Sequence, residues 1–141
     1  MTFVESVTTV FSKFVTWQGR ASRSEYWYFL LFSIILYILA SIVDRILGTT
    51  FSINNPVTGE PQSLGYGYAY VLVALGLLLP ALSVLIRRLH DTNHSGWWYW
   101  IVLIPLIGAI LLLVWLCSRG TNGTNDYGAD PLGGDLSQTF N

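Results

Sequence analysis

Three long apolar runs, separated by polar segments, set the pattern of this sequence. The first covers residues 26–47 and carries its only charges, Asp44 and Arg45, near its end, where they can reach the lipid headgroups. The second covers residues 68–86 and the third residues 97–117. At a helical rise of 1.5 Å per residue, each run reaches roughly 27–33 Å, close to the hydrocarbon thickness of a bilayer. We therefore predict three transmembrane helices over these ranges.

The first eighteen residues follow a different pattern, in which apolar residues recur at steps of three and four with polar residues between them. This spacing is typical of an amphipathic helix. The apolar positions are Phe3, Val7, Val10, Phe11, Phe14 and Val15. The sequence leaves open whether this face lies on lipid or on the protein's own helices. Ser22 then begins the next helix as its N-cap, and Glu25 completes a capping box.

Turn-forming residues fill the two other polar segments. Residues 48–67 predict a polar loop, and residues 118–141, rich in Gly, Asn and Asp, predict a flexible polar tail. The predicted organisation is an interfacial helix over residues 1–18, a transmembrane domain over residues 19–117 and the tail. The predicted fold class is an all-α membrane protein: three transmembrane helices preceded by an N-terminal amphipathic interfacial helix.

Composition supports the membrane assignment. The chain is 52% hydrophobic and only 11% charged, against about a quarter charged residues in soluble domains. Its net charge of −1, without a basic patch, argues against nucleic-acid binding. The single cysteine, Cys117, excludes a disulfide framework within the chain.

The basic residues predict an orientation in the membrane. Five of the seven, all except Arg45 and Arg119, flank the start of the first run or separate the second from the third. By the positive-inside rule, the N-terminus is predicted to be cytoplasmic and the C-terminus outside, in a multi-pass protein of the bacterial cytoplasmic membrane.

The segment Arg87–Trp98, RRLHDTNHSGWW, has the densest candidate chemistry. His90 and His94, four residues apart with Asp91 between them, could share a helical face and hold a metal ion or relay protons. A turn around Ser95 would break that face, and catalytic zinc requires a third ligand. A structural interpretation is that Asp91 caps or pairs with an arginine. We predict no catalytic residue, cofactor or metal. His90, Asp91 and His94 are the weak candidates for a metal site.

Basic and aromatic side chains form a second candidate set, for contacts with lipid headgroups or a partner protein. Arginines near a membrane surface attract anionic phospholipid by about 1 kcal/mol each. The set is Arg20, Arg23, Arg87, Arg88, Trp97 and Trp98. Pro80 and Pro105 each remove a helical hydrogen bond and predict kinks in the second and third spans.

Four motifs resemble those of a known family. GRASRSEYW at Gly19–Trp27, RRLHDTNHSGWW at Arg87–Trp98, IPLIG at Ile104–Gly108 and GTNGTNDYGADP at Gly120–Pro131 occur in this order. The chain resembles the YhaH-like family of small bacterial inner-membrane proteins (domain of unknown function 805). The resemblance implies a multi-pass helical protein of the cytoplasmic membrane and supplies no catalytic residues.

The predicted function is that of a non-enzymatic inner-membrane protein, working as a homo-oligomer or partner subunit in envelope maintenance. Kinked helices with small residues suit packing between helices. One alternative is a transporter or channel component. The other is a metal-dependent or lipid-acting enzyme centred on His90, Asp91 and His94.

Overall fold

The computed structural model describes residues 1–133. Its elements are the helices α1 (Phe3–Ser12), α2 (Arg23–Leu47) and α3 (Tyr68–Asp91), the strands β1 (Thr50–Asn54) and β2 (Pro61–Gly67), a 3₁₀ helix (Gly96–Leu103) and α4 (Ile107–Cys117). The chain forms two compact units. The first, here the terminal unit, contains Met1–Phe29 and the chain from Pro80 onward, and the second, here the central unit, is Leu30–Leu79.

The first two predicted spans coincide with α2 and α3. These helices have 25 and 24 residues, with mean hydropathies of 2.2 and 2.5 in their most apolar windows. They reach about 36–37 Å, so both are long and apolar enough to cross a membrane. α3 contains Pro80 and continues five residues past the predicted end, to Asp91.

The third predicted span is not a continuous helix. The 3₁₀ helix ends at Leu103 and α4 begins at Ile107, and each piece is only about 16 Å long. The count of three spans is therefore not confirmed. The physical cause is Pro105, because the residue before a proline is driven out of the helical region. Ile104 accordingly has extended backbone angles, φ −78° and ψ 112°.

The 3₁₀ helix and α4 fold back on each other as a helical hairpin. At the turn, the Ile107 N–H donates to the Pro105 carbonyl at 2.7 Å and Leu106 has a φ of +64°, which is a strained γ-turn. Gly108 lies so close to the Ile101 carbonyl that a Cβ there would overlap it. The beginning and the end of the third apolar run consequently lie side by side.

The central unit contains a small antiparallel sheet that the sequence interpretation missed. β1 pairs with β2, so the fold is mostly helical rather than all-α. Ring contacts of Phe51 with Tyr66 and Tyr68 stabilise this β-hairpin. The alternating sequence around Phe51, followed by an Asn-Asn-Pro turn, was the available signal.

Asp44 joins α2 to the start of α3 within the central unit. Its carboxylate is fully buried and accepts hydrogen bonds from the backbone N–H groups of Gly67, Ala69 and Tyr70 at 2.8–3.1 Å. The hydroxyl of Thr49 also donates to it, at 2.7 Å. Asp44 therefore satisfies the free N–H groups at the start of α3, a role that the sequence interpretation did not predict.

In the terminal unit, α1 is shorter than the predicted helix of residues 1–18. Thr2 caps it, and Glu5 completes a capping box. Val10 is fully buried, and the Phe11 ring lies edge-on to Phe29 at 5.8 Å. Part of the apolar face therefore packs on the protein itself, while Val4 remains 68% exposed.

Candidate functional site

A buried polar cluster brings the sequence motifs together in the terminal unit. It consists of Arg20, Glu25, Arg87, Arg88 and Asp91, which we call the polar cluster. Each of these residues is at most 7% exposed. Arg20 and Glu25 come from the start of α2 and the segment before it, and the other three come from the last turn of α3.

Asp91 occupies the centre of the polar cluster, because its carboxylate pairs with two arginines. One carboxylate oxygen accepts from Arg20 at 2.9 Å, and the other accepts from Arg88, three residues earlier on α3. Both arginine side chains are almost completely buried. A buried arginine needs such a counter-charge, since an unpaired charge away from water is very costly. The predicted pairing of Asp91 with an arginine is therefore confirmed.

Backbone carbonyl oxygens of the tail accept the remaining Arg20 donors. The Arg20 guanidinium donates to Gly123 at 2.6 Å and to Thr121 at 2.5 Å. The Thr121 N–H in turn donates to the carbonyl of Asp91 at 2.8 Å. Gly120 passes so close to the Asp91 carboxylate that a Cβ there would overlap it. The glycine-rich tail thus supplies ligands for an arginine about a hundred residues earlier in the chain.

Arg88 attaches the end of α4 to the same cluster. Its Nε donates to the Leu116 carbonyl at 3.1 Å, and another nitrogen donates to the Ser118 carbonyl. It also donates to the Ala21 carbonyl at 3.2 Å. One guanidinium therefore holds the segment before α2 and the end of α4 against α3.

Glu25 and Arg87 form the second ion pair, at 2.6 Å. Ser22 accepts the Glu25 N–H at 3.3 Å, as its predicted role of N-cap requires. The Glu25 carboxylate binds Arg87 on another helix. The Nε and Nη2 atoms of Arg87 are buried and have no hydrogen-bond partner among the residues that the structure describes.

The two histidines do not share a helical face. α3 ends at Asp91, and the N–H groups of Asn93 and His94 return to the carbonyls of His90 and Leu89, which is a Schellman C-cap. His90 stacks on Tyr127, with ring centroids 4.1 Å apart. His94 stacks on Trp115, at 4.0 Å.

The metal hypothesis for His90, Asp91 and His94 required both histidines on one helical face. The structure does not have that face, because α3 ends at Asp91. Asp91 is also already committed to two arginines. Within residues 1–133, no group of three His, Cys, Asp or Glu side chains is placed to hold a metal ion.

The tail contacts bring together two segments that the sequence interpretation placed on opposite sides of the membrane. Arg20 and Asp91 bind residues 121 and 123 directly, and the membrane side of these segments stays a prediction. The described tail residues make defined contacts, whereas residues 134–141 lie outside the described part of the chain. The division into domains stays a prediction.

The six residues predicted to contact lipid headgroups or a partner protein divide into two groups. Arg20, Arg87 and Arg88 face protein partners in the interior, while Arg23, Trp97 and Trp98 are exposed. Contact with lipid or a partner protein stays a prediction, and only the second group has the exposure that it requires.

Asp130 adds a carboxylate at the edge of the polar cluster. The N–H groups of Leu132 and Gly123 donate to it at 2.9 and 3.1 Å. These hydrogen bonds, with a smaller contribution from the Arg20 charge, hold the pKa of Asp130 below its ordinary value of 3.8. Asp130 therefore stays ionised beside the arginine at neutral pH.

The structure contains two apolar helices long enough to cross a membrane and arginines buried against carboxylates, as expected of a helical membrane protein. The family described as "Protein of unknown function (DUF805)" matches residues 14–129. The chain is 38% identical to Inner membrane protein YhaI of Escherichia coli K12 over 123 residues, covering 87% of this chain and 92% of that protein. It is 36% identical to Inner membrane protein YhaH of the same strain over 122 residues, covering 86% and 92%.

The chain belongs to the DUF805 family, as the sequence motifs predicted. Its relatives place it in a lipid bilayer as an inner-membrane protein. No solved structure matches it.

Proposed function

We propose that this chain is a non-enzymatic membrane subunit that works as a homo-oligomer, or with a membrane-protein partner, in maintaining the cell envelope. The observation that carries the proposal is the double pairing of Asp91 with Arg20 and Arg88. The charged residues of the motifs bind one another and the backbone, which is what a structural role requires.

Exposed side chains beside the polar cluster provide the surface for such contacts. Trp97 is 79% exposed and Trp98 49%, and Arg23 lies near the end of α4, where it donates to the Cys117 carbonyl at 3.4 Å. Aromatic and arginine side chains are enriched both in membrane-interface belts and in protein interfaces. These three residues are the contact set that we propose.

The proposal includes an orientation. We propose that the N-terminal segment, the polar cluster and the tail through residue 133 are cytoplasmic. The helical hairpin would then enter the membrane and return to the same side. This topology leaves Arg45 as the one basic residue at the opposite surface, with the other six of seven on the cytoplasmic side.

Native mass spectrometry of the full chain released from lipid nanodiscs tests the oligomer. We expect a dimer or larger species, or a stable complex with a co-purified membrane protein. Arg23→Ala combined with Trp98→Ala should reduce that species several-fold, whereas Arg119→Ala, another exposed arginine, should not. Lone monomers under all lipid conditions would contradict the proposal.

The envelope role has its own test. A strain that lacks the gene should become more sensitive to detergent and osmotic stress, and the wild-type gene should restore resistance while the Arg23→Ala, Trp98→Ala gene should not. Normal resistance without the gene would exclude envelope maintenance and leave the oligomer result untouched.

A further inference from the structure

An apolar cavity of about 630 Å³ lies beside the polar cluster in the terminal unit. Its walls include Trp17, Leu85, Ile86, His90, Trp97 and Trp100. This volume falls within the range of sites that hold small molecules, which are mostly apolar with a few placed polar groups. The cavity is formed by the last turns of α3, the 3₁₀ helix and the segment after α1.

His90 is a polar group of fixed orientation in this lining. Its residue is 8% exposed, its ring stacks on Tyr127 with an interplanar angle of 2°, and its Nδ1 lies 3.0 Å from the Gly19 carbonyl oxygen. The Asn125 side chain also donates to the backbone carbonyl of His90, at 2.9 Å. Rotation of the imidazole would therefore break both the stacking and a hydrogen bond.

The partner of Nδ1 decides what the other ring nitrogen offers. A carbonyl oxygen only accepts, so Nδ1 carries the proton and donates to Gly19. In the neutral imidazole, Nε2 is then an acceptor, and it has no hydrogen-bond partner among the described residues. His90 lines a largely apolar cavity, and we infer that its free Nε2 is the acceptor available to a ligand there.

The lining also indicates the charge and the source of a ligand. No Lys, Arg, Asp or Glu side chain of the described residues lines the cavity, so a charged ligand would lie there without a counter-charge, at high cost. Trp97 and Trp100 are 79% and 56% exposed, and such aromatic side chains lie at membrane–water interfaces. In an inner-membrane protein, a molecule in the lipid phase can therefore reach this wall.

We propose that the cavity binds a neutral, membrane-soluble alcohol, whose hydroxyl donates to His90 Nε2 and whose hydrocarbon lies against Trp97 and Trp100. The bound class is a hydroxyl-bearing lipid or a similar amphiphile. The proposal gives His90 a binding role that needs neither a metal ion nor a second histidine. It shares Trp97 with the proposed contact set, but its tests measure probe binding and not the oligomeric state.

A pair of brominated probes tests this proposal on the purified full chain, because bromine quenches tryptophan fluorescence on contact. The alcohol 10-bromodecanol has the hydroxyl, and 1-bromodecane lacks it. We expect the alcohol to quench at a concentration about 2- to 10-fold lower, the factor that corresponds to one net hydrogen bond. Equal quenching by the two probes would overturn the proposal.

Matched variants separate His90 from general partitioning of the probes. His90→Phe keeps an aromatic ring for Tyr127 and should abolish the preference for the alcohol. His94→Phe also removes a stacked histidine, but outside the cavity lining, and it should leave the preference intact. A preference that survives in His90→Phe would contradict the proposed hydrogen bond.

A third variant keeps the test decisive if His90→Phe does not fold. Ile86→Trp fills the cavity without changing a hydrogen bond, and it should weaken quenching by both probes at least several-fold. Unchanged quenching in Ile86→Trp would show that the probes bind elsewhere and would overturn the proposal.

Discussion

At the scale of single residues, Asp91 joins two buried arginines in the terminal unit. It neutralises two buried arginines, and its backbone carbonyl accepts the Thr121 N–H. Removing one member of a buried ion pair is far more costly than removing an exposed charge, because the remaining charge stays in a low-dielectric environment.

Asp91→Asn should therefore destabilise the protein by about 3–5 kcal/mol. Thermal unfolding in detergent, followed by tryptophan fluorescence, measures this change. Asp126→Asn is the matched control, because Asp126 is an exposed acid of the tail, and it should change stability by less than about 0.5 kcal/mol. Similar losses in the two variants would mean that Asp91 has no special electrostatic role.

Asp130 predicts a pH dependence. Its pKa is lowered in the folded protein from an ordinary value of 3.8, so its stabilising contribution is complete above pH 3.8 and is lost as the pH falls through the lower folded pKa. The difference in unfolding midpoint between the wild type and Asp130→Asn should accordingly be constant near neutral pH and shrink in acid. A difference that grows as the pH falls would have the wrong sign.

At the scale of elements, the helical hairpin of the 3₁₀ helix and α4 depends on two residues. Pro105 ends the first helix, and Gly108 permits close contact with the Ile101 carbonyl. Trp98 and Trp115, with ring centroids 5.6 Å apart, pack near the open end of the hairpin. The turn and the ring contact together keep the two short helices antiparallel.

Gly108→Ala tests this element, because the added methyl group would overlap the Ile101 carbonyl and force the two helices apart. We expect a loss of about 1–3 kcal/mol, the usual cost of overpacking, measured by thermal unfolding. Gly76→Ala is the control: nothing lies within 4 Å of a Cβ at Gly76, and alanine favours the helix by up to about 1 kcal/mol. Equal stability of the Gly108→Ala protein and the wild type would exclude this close contact.

At the scale of the whole molecule, the proposed topology of the third apolar run depends on the hairpin and the tail contacts. The carbonyls of Leu116 and Ser118, on either side of Cys117, bind Arg88. Cys117 itself is exposed and is the only cysteine in the chain. It therefore reports directly on the membrane side of the hairpin's end.

We predict that a membrane-impermeant maleimide labels Cys117 in inside-out membrane vesicles but not in right-side-out vesicles. In a Cys117→Ser background, Thr8→Cys in α1 should show the same pattern, whereas Ser52→Cys in β1 should show the opposite one. If Cys117 in the wild type and Ser52→Cys in the variant were labelled in the same type of vesicle, the third run would cross the membrane. That result would contradict the proposed topology.

Much of the helical pattern could be predicted, because it depends on local composition. A continuous apolar run favours a helix wherever it lies in lipid, and the Ser22 cap and the amphipathic spacing of α1 involve neighbouring residues only. The β-hairpin was missed because five- to seven-residue strands among turn residues give a weak periodic signal.

The candidate site was predictable in part. The motifs identified its residues, and the pairing of Asp91 with Arg88 is a local contact between positions three apart. The partners of Arg20 were not predictable, because Asp91 and Gly123 lie 71 and 103 positions away in the sequence. The sequence interpretation placed the tail on the opposite side of the membrane from Arg20. In the structure, the tail carbonyls accept hydrogen bonds from Arg20.

The sequence by itself determined the family, the membrane environment and two helices of spanning length, since each follows from the order and hydropathy of nearby residues. Only the tertiary structure decided that the third apolar run folds back at Pro105 and that the tail covers Arg20. The same hydropathy is compatible with a span or with a hairpin, because lipid solvates both. The choice depends on which distant carbonyls and carboxylates the buried arginines reach, and that is a property of the folded chain.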